Sequence, residues 1–312
     1  MPERKTGDLR AWIRAARLRT LPLASSAVIV GGGMAALEGF FHWGIFLISV
    51  WTAVLLQILA NFANDYGDAV KGTDGAGRVG PKRAVSSGEI SREAMGWAIA
   101  GLCLACAGSG LTLLAVSFGA DPIVWIVFLL LGSSAIAASV LYTMGKRPYG
   151  YRGLGDLFVF LFFGLVAVAA SYILYGAPAQ RIPWLPACAT GFFITSVLNI
   201  NNIRDMDNDL ASGKETFALR LGQRRARVYH VLLVGVGLAC WLLWFLIAGQ
   251  GRLLWLMLAA APLGRSAWLV YGSRQAGALD AQLRISSIIV GCYNVLLACC
   301  LLFAYLTAGI GN

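Results

Sequence analysis

The stretch Asn61-Phe62-Ala63-Asn64-Asp65-Tyr66-Gly67-Asp68 closes a run of uncharged residues that begins at Trp43. At about 1.5 Å per residue such a run spans roughly 30 Å of hydrocarbon, so the polar octet falls where a membrane helix reaches water. On a helix Asn61, Asn64/Asp65 and Asp68 recur at three and four residues and share one face. Lys71-Gly72-Thr73-Asp74, Arg78-Val79-Gly80-Pro81-Lys82-Arg83 and Ser87-Gly88 follow directly. A second stretch, Asn201-Asn202-Ile203-Arg204-Asp205-Met206-Asp207-Asn208-Asp209 leading into Gly213-Lys214-Glu215-Thr216, has the same plan 140 residues later.

Nearly everything around these stretches is apolar. The chain of 312 residues is 58% hydrophobic and 13% charged, with a mean hydropathy of +0.71, whereas a soluble domain is about 25% charged. Uncharged runs long enough to cross a bilayer fall at Thr20–Leu37, Trp43–Ala63, Met95–Phe118, Ile123–Met144, Leu157–Ala179, Ile182–Ile203, Val228–Gly249, Leu253–Tyr271 and Ile285–Thr307. The expected fold is therefore all-α: a polytopic membrane protein of nine transmembrane helices around a cytoplasm-facing polar cavity, as a single transmembrane domain over 1–312. The parallel placement of the two polar stretches hints at an internal repeat of helices 1–4 and 5–8.

A net charge of +10 would also suit a nucleic-acid binder, and its distribution argues against that. Of the 25 Lys and Arg residues, 22 fall before helix 1 or in connections on one side of the membrane. The positive-inside rule puts that side, the N-terminus and both polar stretches in the cytoplasm and the C-terminus outside, so the working surface is expected on the cytoplasmic face; in a bacterium that membrane is the cytoplasmic (inner) one. The six positive charges of the first 20 residues, without a small-residue cleavage site after the apolar run, read as a retained first helix. The seven cysteines all fall inside expected helices; Cys103-x-x-Cys106, in hydrocarbon with no second pair, reads as packing. Gly31-Gly32-Gly33 serves either close helix contact or a bend.

Several carboxylates converging on one site repel unless a cation joins them. Two clusters of oxygen ligands without histidine or thiol select a hard cation, and Mg²⁺ favours carboxylates together with phosphate oxygens. The candidate metal ligands are Asp65, Asp68, Asp205 and Asp209, with Asn64 and Asp74 as further candidates. Lys71, Arg78, Lys82, Arg83, Lys214 and Arg220, with Asn61, Asn64, Asn201 and Asn202, are candidates for holding a diphosphate through charge-assisted bonds; for any one Lys or Arg the alternative is a solvated residue that sets topology.

The first stretch resembles the Asn-Asp-x-x-Asp signature, and the second the Asp-x-x-x-Asp signature, of the UbiA superfamily of intramembrane aromatic prenyltransferases. Asn64-Asp65-Tyr66-x-Asp68-x-x-Lys71-Gly72-x-Asp74, Arg78-x-Gly80-Pro81-x-Arg83, Ser87-Gly88, Arg17-x-Arg19-Thr20-Leu21-Pro22, Tyr142-Thr143, Tyr151-Arg152-Gly153-Leu154-Gly155-Asp156 and Arg220-Leu221-Gly222 most resemble the 1,4-dihydroxy-2-naphthoate polyprenyltransferases of menaquinone synthesis. Two positions depart from the pattern: Gly72 stands where a further Asp is common, and Asp156 where Glu is expected.

The resemblance implies Mg-dependent transfer of a polyprenyl group from polyprenyl diphosphate, its tail in the lipid bilayer, to the ring of 1,4-dihydroxy-2-naphthoate. CO₂ and diphosphate are lost and demethylmenaquinone is formed, with Asp65, Asp68, Asp205 and Asp209 as the catalytic, metal-holding carboxylates. Tyr142, Tyr149 and Tyr151 read either as π faces toward an allylic cation or as an interfacial belt. Asp156 and Arg265 are further candidates on the acceptor side; Arg265 reads as facing the polar cavity, or as reaching the interface if helix 8 is short. Other readings are a prenyltransferase acting on 4-hydroxybenzoate or homogentisate, and a polytopic transporter.

Overall fold

The computed structural model describes residues 7–73, 80, 83–119, 121–273 and 275–308. Among these the chain is helical, with an isolated bridge between Arg152 and Glu215 in place of any strand. A short helix α1 (Leu9–Ala16) starts where the Asp8 carboxylate accepts the Ala11 amide at 2.7 Å. It ends at Arg17, the single non-glycine of positive φ (50°) among the described residues. Pro22 then opens α2 (Leu21–Leu37) in its first turn.

The long helices follow: α3 (Trp43–Lys71), α4 (Arg92–Phe118), α5 (Pro122–Leu141), α6 (Gly155–Leu174) and α7 (Trp184–Arg204). After a short α8 (Met206–Ala211) come α9 (Phe217–Ile247), α10 (Gly251–Gly272) and α11 (Ala276–Ala308). The side chains of Ser91, Asp121 and Thr216 cap α4, α5 and α9 by accepting amides of the first turn.

Among the described residues eight helices are long and apolar enough to cross a membrane, where the hydropathy pattern predicts nine. The difference is α7, which spends Thr190, Thr195, Ser196, Asn199, Asn201 and Asn202 within 21 residues. It can do so because it is the inner helix: Ala187, Phe193, Ile200 and Asn199 are fully buried against α6, α9 and α11. By contrast α5 buries none of its residues, and Leu104, Leu130 and Leu258 project outward as lipid-facing side chains do.

Lipid tails are as apolar as leucine, so helix association in a bilayer rests on close packing more than on the hydrophobic effect. The triple glycine of α2 serves contact: a Cβ on Gly33 would lie 2.7 Å from the Ala298 Cα of α11, and one on Gly31 would overlap Ser171 of α6. In α6 the segment Phe160–Val166 widens to π-helical turns where Gly164 meets Gly191 of α7. The cysteines are free thiols.

A candidate active site at the junction of the two polar stretches

The two stretches meet. Gly72, at φ 69°, ends α3 and turns the chain so that the Thr73 amide donates back to the Asp68 carbonyl at 3.1 Å. From the second stretch Asn208 donates its side-chain amide to the Thr73 carbonyl at 2.9 Å. The loop after α5 stitches the same corner: Tyr151 donates its hydroxyl to Asp68 Oδ1 at 2.6 Å and reaches Thr73 Oγ1 at 3.1 Å. Its carbonyl accepts the Glu215 amide at 3.2 Å.

A cavity of about 510 Å³ opens from this corner between α2, α3, α4, α5 and α6. Its polar end presents Arg17, Arg19, Asn64, Asp68, Arg83, Asn201 and Lys214, and its long wall is hydrocarbon such as Leu111, Phe128, Phe162 and Phe163. A charged head and an apolar body over one continuous void is the shape of a site for an amphiphile with an anionic head.

The four carboxylates do not act alike. Asp68 is the one that lines the cavity; Arg83 Nη2 lies 2.5 Å from its Oδ2, and Arg83 Nη1 donates to the Asn64 carbonyl at 2.7 Å. Asp65 points instead to the loop after residue 83, accepting the Ala84 and Val85 amides at 3.1 and 3.2 Å. Asp205 is held by the Arg204 fork at 2.7 and 2.6 Å. Asp209 faces Lys214 at 3.6 Å. Burial pushes the Asp209 carboxyl up to about 6, Lys214 opposing the shift and the Asp205 and Asp68 charges adding to it. The Tyr151 phenol is pushed well above its ordinary range by burial and by the Asp68 charge, so it stays a donor.

The donor set fits a hard cation. Asn64 Oδ1 and Asp209 Oδ2 are buried oxygens without a hydrogen-bond partner, the kind of group that an ion or polar ligand satisfies. Among the described residues, however, no three acidic, imidazole or thiol side chains converge at metal-binding distance. Arg83, Arg204 and Lys214 hold the carboxylates where a cation would, so gathering them requires these pairs to exchange partners.

Several expected site residues sit elsewhere. Asn61 is buried but braces the N-terminal turn, donating to the Ala16 carbonyl at 2.8 Å and to Thr20 Oγ1 at 3.0 Å. Asn202 and Asp156 meet each other at 3.4 Å, buried beside Tyr229. Lys71 is exposed at the rim, donating to the Gly145 carbonyl at 3.2 Å, and Arg220 is exposed in a 3.1 Å pair with Glu215. Tyr142 and Tyr149 line the cavity, Tyr149 stacked on Phe158. Asp74, Arg78 and Lys82 lie outside the described residues.

Arg265 corrects the expectation of a residue facing the cavity: it is exposed and not part of the lining. The helix breaks after Ala259 and restarts at Ala261, and the restarted segment buries Leu263, Ser266, Ala267 and Val270, leaving Arg265 on the outer face. Seven residues from Gly272, about 10 Å along the axis, its long stem can carry the charge to the interface.

Arg17, Arg19 and Asp280 are functional candidates that residue spacing does not single out as ligands. The left-handed Arg17 turns the chain into the cavity wall. Asp280 accepts from Arg204 at 2.8 Å and from Arg284 at 2.7 Å. Its signal in the sequence is the Asp280/Arg284 pair at i,i+4 ahead of the last apolar run.

Comparison with known proteins agrees with this geometry. The model of the UbiA prenyltransferase family matches residues 25–288. The chain is 43% identical over 265 residues to the 1,4-dihydroxy-2-naphthoate octaprenyltransferase of Escherichia coli, covering 84% of this chain and 85% of that one. Among solved structures it is similar to a UbiA homologue from Aeropyrum pernix in its apo form, with a TM-score of 0.66, 18% identity and coverage of 88% of this chain and 97% of that one. It is also similar to one from Archaeoglobus fulgidus bound to GPP and Mg²⁺, with a TM-score of 0.59, 16% identity and coverage of 91% and 99%. With the family model matched over residues 25–288 and eight membrane-length apolar helices among the described residues, this chain belongs to the UbiA prenyltransferase family.

Proposed function

We propose that the protein transfers a polyprenyl group from polyprenyl diphosphate to 1,4-dihydroxy-2-naphthoate at the corner where the two stretches meet, on the cytoplasmic side of a bacterial cytoplasmic membrane. The observation that carries this reading is the cavity itself, with Asp68, Arg83 and Lys214 at one end and a mostly hydrocarbon wall beyond. Support for the acceptor comes from the 43% identity to a 1,4-dihydroxy-2-naphthoate octaprenyltransferase. We take α7 as the ninth crossing, which leaves the N-terminus inside and the C-terminus outside.

The tail lies along Phe128, Phe162 and Phe163 and the diphosphate at the polar end, where Arg83, Lys214, Arg17 and Arg19 donate to its oxygens. Asp68 and Asp209 with Asn64, and Asp205 when Arg204 yields it, would hold Mg²⁺, which would supply Lewis-acid neutralisation of the departing diphosphate. As the C1–O bond breaks, the electron pair leaves with the diphosphate, and the fixed Arg83 and Lys214 charges stabilise it without reorganisation. Tyr142 and Tyr149 offer π faces to the allylic cation and exclude water from it. The ring carbon that carries the carboxylate attacks the cation. The bond to the carboxylate then breaks, CO₂ departs, its electron pair returns to the ring, and the product is the quinol form of demethylmenaquinone. Charge and atoms balance without a general base, and buried His230, bonded to the Ser196 carbonyl at 3.1 Å, is not asked to be one.

The test is direct. Membranes containing the protein, given Mg²⁺, a polyprenyl diphosphate and one acid at a time, are expected to prenylate 1,4-dihydroxy-2-naphthoate and release one CO₂ per product. Prenylation of 4-hydroxybenzoate or homogentisate in its place, or none at all, would overturn the proposal.

A further inference from the structure

Arg204, the last residue of α7, has a side chain 1% exposed, so its charge has no access to bulk water. Its guanidinium is divided between two carboxylates. Nε and Nη2 bind Asp205 at 2.7 and 2.6 Å, Nη1 binds Asp280 at 2.8 Å, and Nη2 also reaches Asn201 Oδ1 at 3.0 Å. Asp280 belongs to the first turns of α11, remote in sequence from both polar stretches, and its second oxygen takes the exposed Arg284 at 2.7 Å. The result is a line of alternating charges, Asp205, Arg204, Asp280 and Arg284, running from the second polar stretch to the surface.

This line sets a condition on the site. Asp205 becomes available to a cation only when Arg204 gives up at least one of its oxygens, and a buried guanidinium cannot then find compensation in water. A second carboxylate already on it removes that obstacle. We infer that Asp280 is a positioning residue that retains Arg204 while Asp205 turns to the metal and diphosphate, and so sets the cation affinity of the second polar stretch. The inference rests on the functional reading above and extends it to a residue of the last helix.

A residue acting on a metal site through another residue typically changes affinity by about 10- to 100-fold. The experiment uses the full chain in lipid nanodiscs and reads Mn²⁺ binding by electron paramagnetic resonance in the absence of substrate, beside the Mg²⁺ dependence of prenyl transfer. Asp280→Asn is expected to weaken Mn²⁺ binding by about tenfold or more and to raise the half-saturating Mg²⁺ concentration in proportion, with a smaller change in kcat at saturating Mg²⁺. Asp280→Glu, which keeps the charge, is expected to recover most of the loss. In an Arg204→Gln background, where no buried cation needs the second carboxylate, adding Asp280→Asn is expected to change Mn²⁺ affinity little. The two changes together leave the cluster neutral, so this pair of variants serves if Asp280→Asn alone does not accumulate.

Unchanged Mn²⁺ affinity in Asp280→Asn, or an equal loss in the Arg204→Gln background, overturns the inference while leaving the functional reading intact. A native protein that binds Mn²⁺ but prenylates no dihydroxynaphthoate overturns the functional reading, and the inference with it.

Discussion

Tyr151 donates its phenolic hydrogen bond to Asp68 Oδ1 at 2.6 Å. Lys71 and Lys214, one from each polar stretch, both lie 5.5 Å from its ring centroid. The tyrosine therefore acts as a hinge pin between the stretches rather than as a face toward the hydrocarbon cavity. Removing a hydrogen bond to a charged group costs about 1.5–3 kcal/mol, which as lost transition-state stabilisation is roughly 10- to 100-fold in rate. Tyr151→Phe is expected to lower kcat/KM by that factor while the protein still reaches the membrane in normal amount. Wild-type kinetics in this variant would show that the bond is incidental.

Arg83 bridges the Asp68 carboxylate and the Asn64 carbonyl, holding the end of α3 to the loop that follows it. In the proposed reaction the same guanidinium meets the diphosphate, so it has both a positioning and an electrostatic part. Losing a fixed donor aimed at developing charge costs about 10²–10³ in kcat. Arg83→Ala is expected in that range. Arg83→Lys is expected between it and wild type, because a lysine keeps the charge and loses the planar fork. Equal activity of the lysine and alanine variants would mean that the fork, and not the charge, is what the reaction uses.

Asp65 and Asp68 are adjacent carboxylates on one helical face that the structure sends in different directions, and the difference can be measured. Asp65 accepts two backbone amides of the loop after residue 83 and stays off the cavity. Asp65→Ala is expected to leave those amides unsatisfied, to cost about 1–3 kcal/mol, and to expose the loop to protease cleavage near Arg83. Asp68→Asn weakens the Arg83 pair but leaves the Arg83–Asn64 bond and both Asp65 bonds to the loop in place, so it is expected to speed cleavage less than Asp65→Ala does and to abolish cation binding and turnover. Limited proteolysis with Mn²⁺ titration distinguishes the two, and identical behaviour of both variants would refute the division of labour.

Helix identity was legible in hydropathy because an uncharged run has few other uses. Eight such runs correspond to helices of membrane-spanning length and composition, and the ninth, α7, fell short through the asparagines and threonines that its central position lets it carry. The convergence of the two stretches was legible because oxygen ligands repeated 140 residues apart require a common partner. Side-chain direction was not legible. Spacing puts Asn61 and Asp65 on the face of Asp68, but the contacts that turn Asn61 to Ala16 and Asp65 to Ala84 come from segments distant in sequence. Asp280 lies outside the uncharged run that begins at Ile285, whereas the helix begins at Ala276 with the charges already in its opening turns. The outward direction of Arg265 has no signal in hydropathy, because the restart at Ala261 resets which face is inward.

The triple glycine of α2 gives a test of packing independent of chemistry. A Cβ on Gly33 would stand 2.7 Å from the backbone of α11 at Ala298, with little room for either helix to yield. Overpacking a tight contact costs about 1–3 kcal/mol. Gly33→Val is expected to lower the thermal unfolding midpoint in detergent, and Ala298→Gly in the same chain to recover part of the loss by returning space on the facing helix. No recovery in the double variant would argue that the glycine is needed for something other than this contact.

Asp209 carries a conflict between stability and function that pH should expose. Its carboxyl, pushed up to about 6 by burial, binds a proton more readily in the folded than in the unfolded protein, where an ordinary Asp titrates near 3.9. Its contribution to stability without metal is therefore fully present below about pH 4 and is lost as pH rises through 6. Asp209→Asn removes the buried charge but leaves Lys214 without its 3.6 Å partner, so the two effects partly offset. The metal-free variant is expected to melt a few degrees above the native protein at pH 7.5, an effect of about 1 kcal/mol, and to lose most of that advantage at pH 5. Divalent cation reverses the order, because it needs the ionised carboxylate: Mn²⁺ is expected to raise the native melting point at pH 7.5, to do so less at pH 5, and to leave the variant unmoved. A variant that melts lower than the native protein at pH 7.5 without metal would show that the Asp209–Lys214 pair is a net stabilising contact. The carboxylate would then be held for structure rather than kept available to a cation.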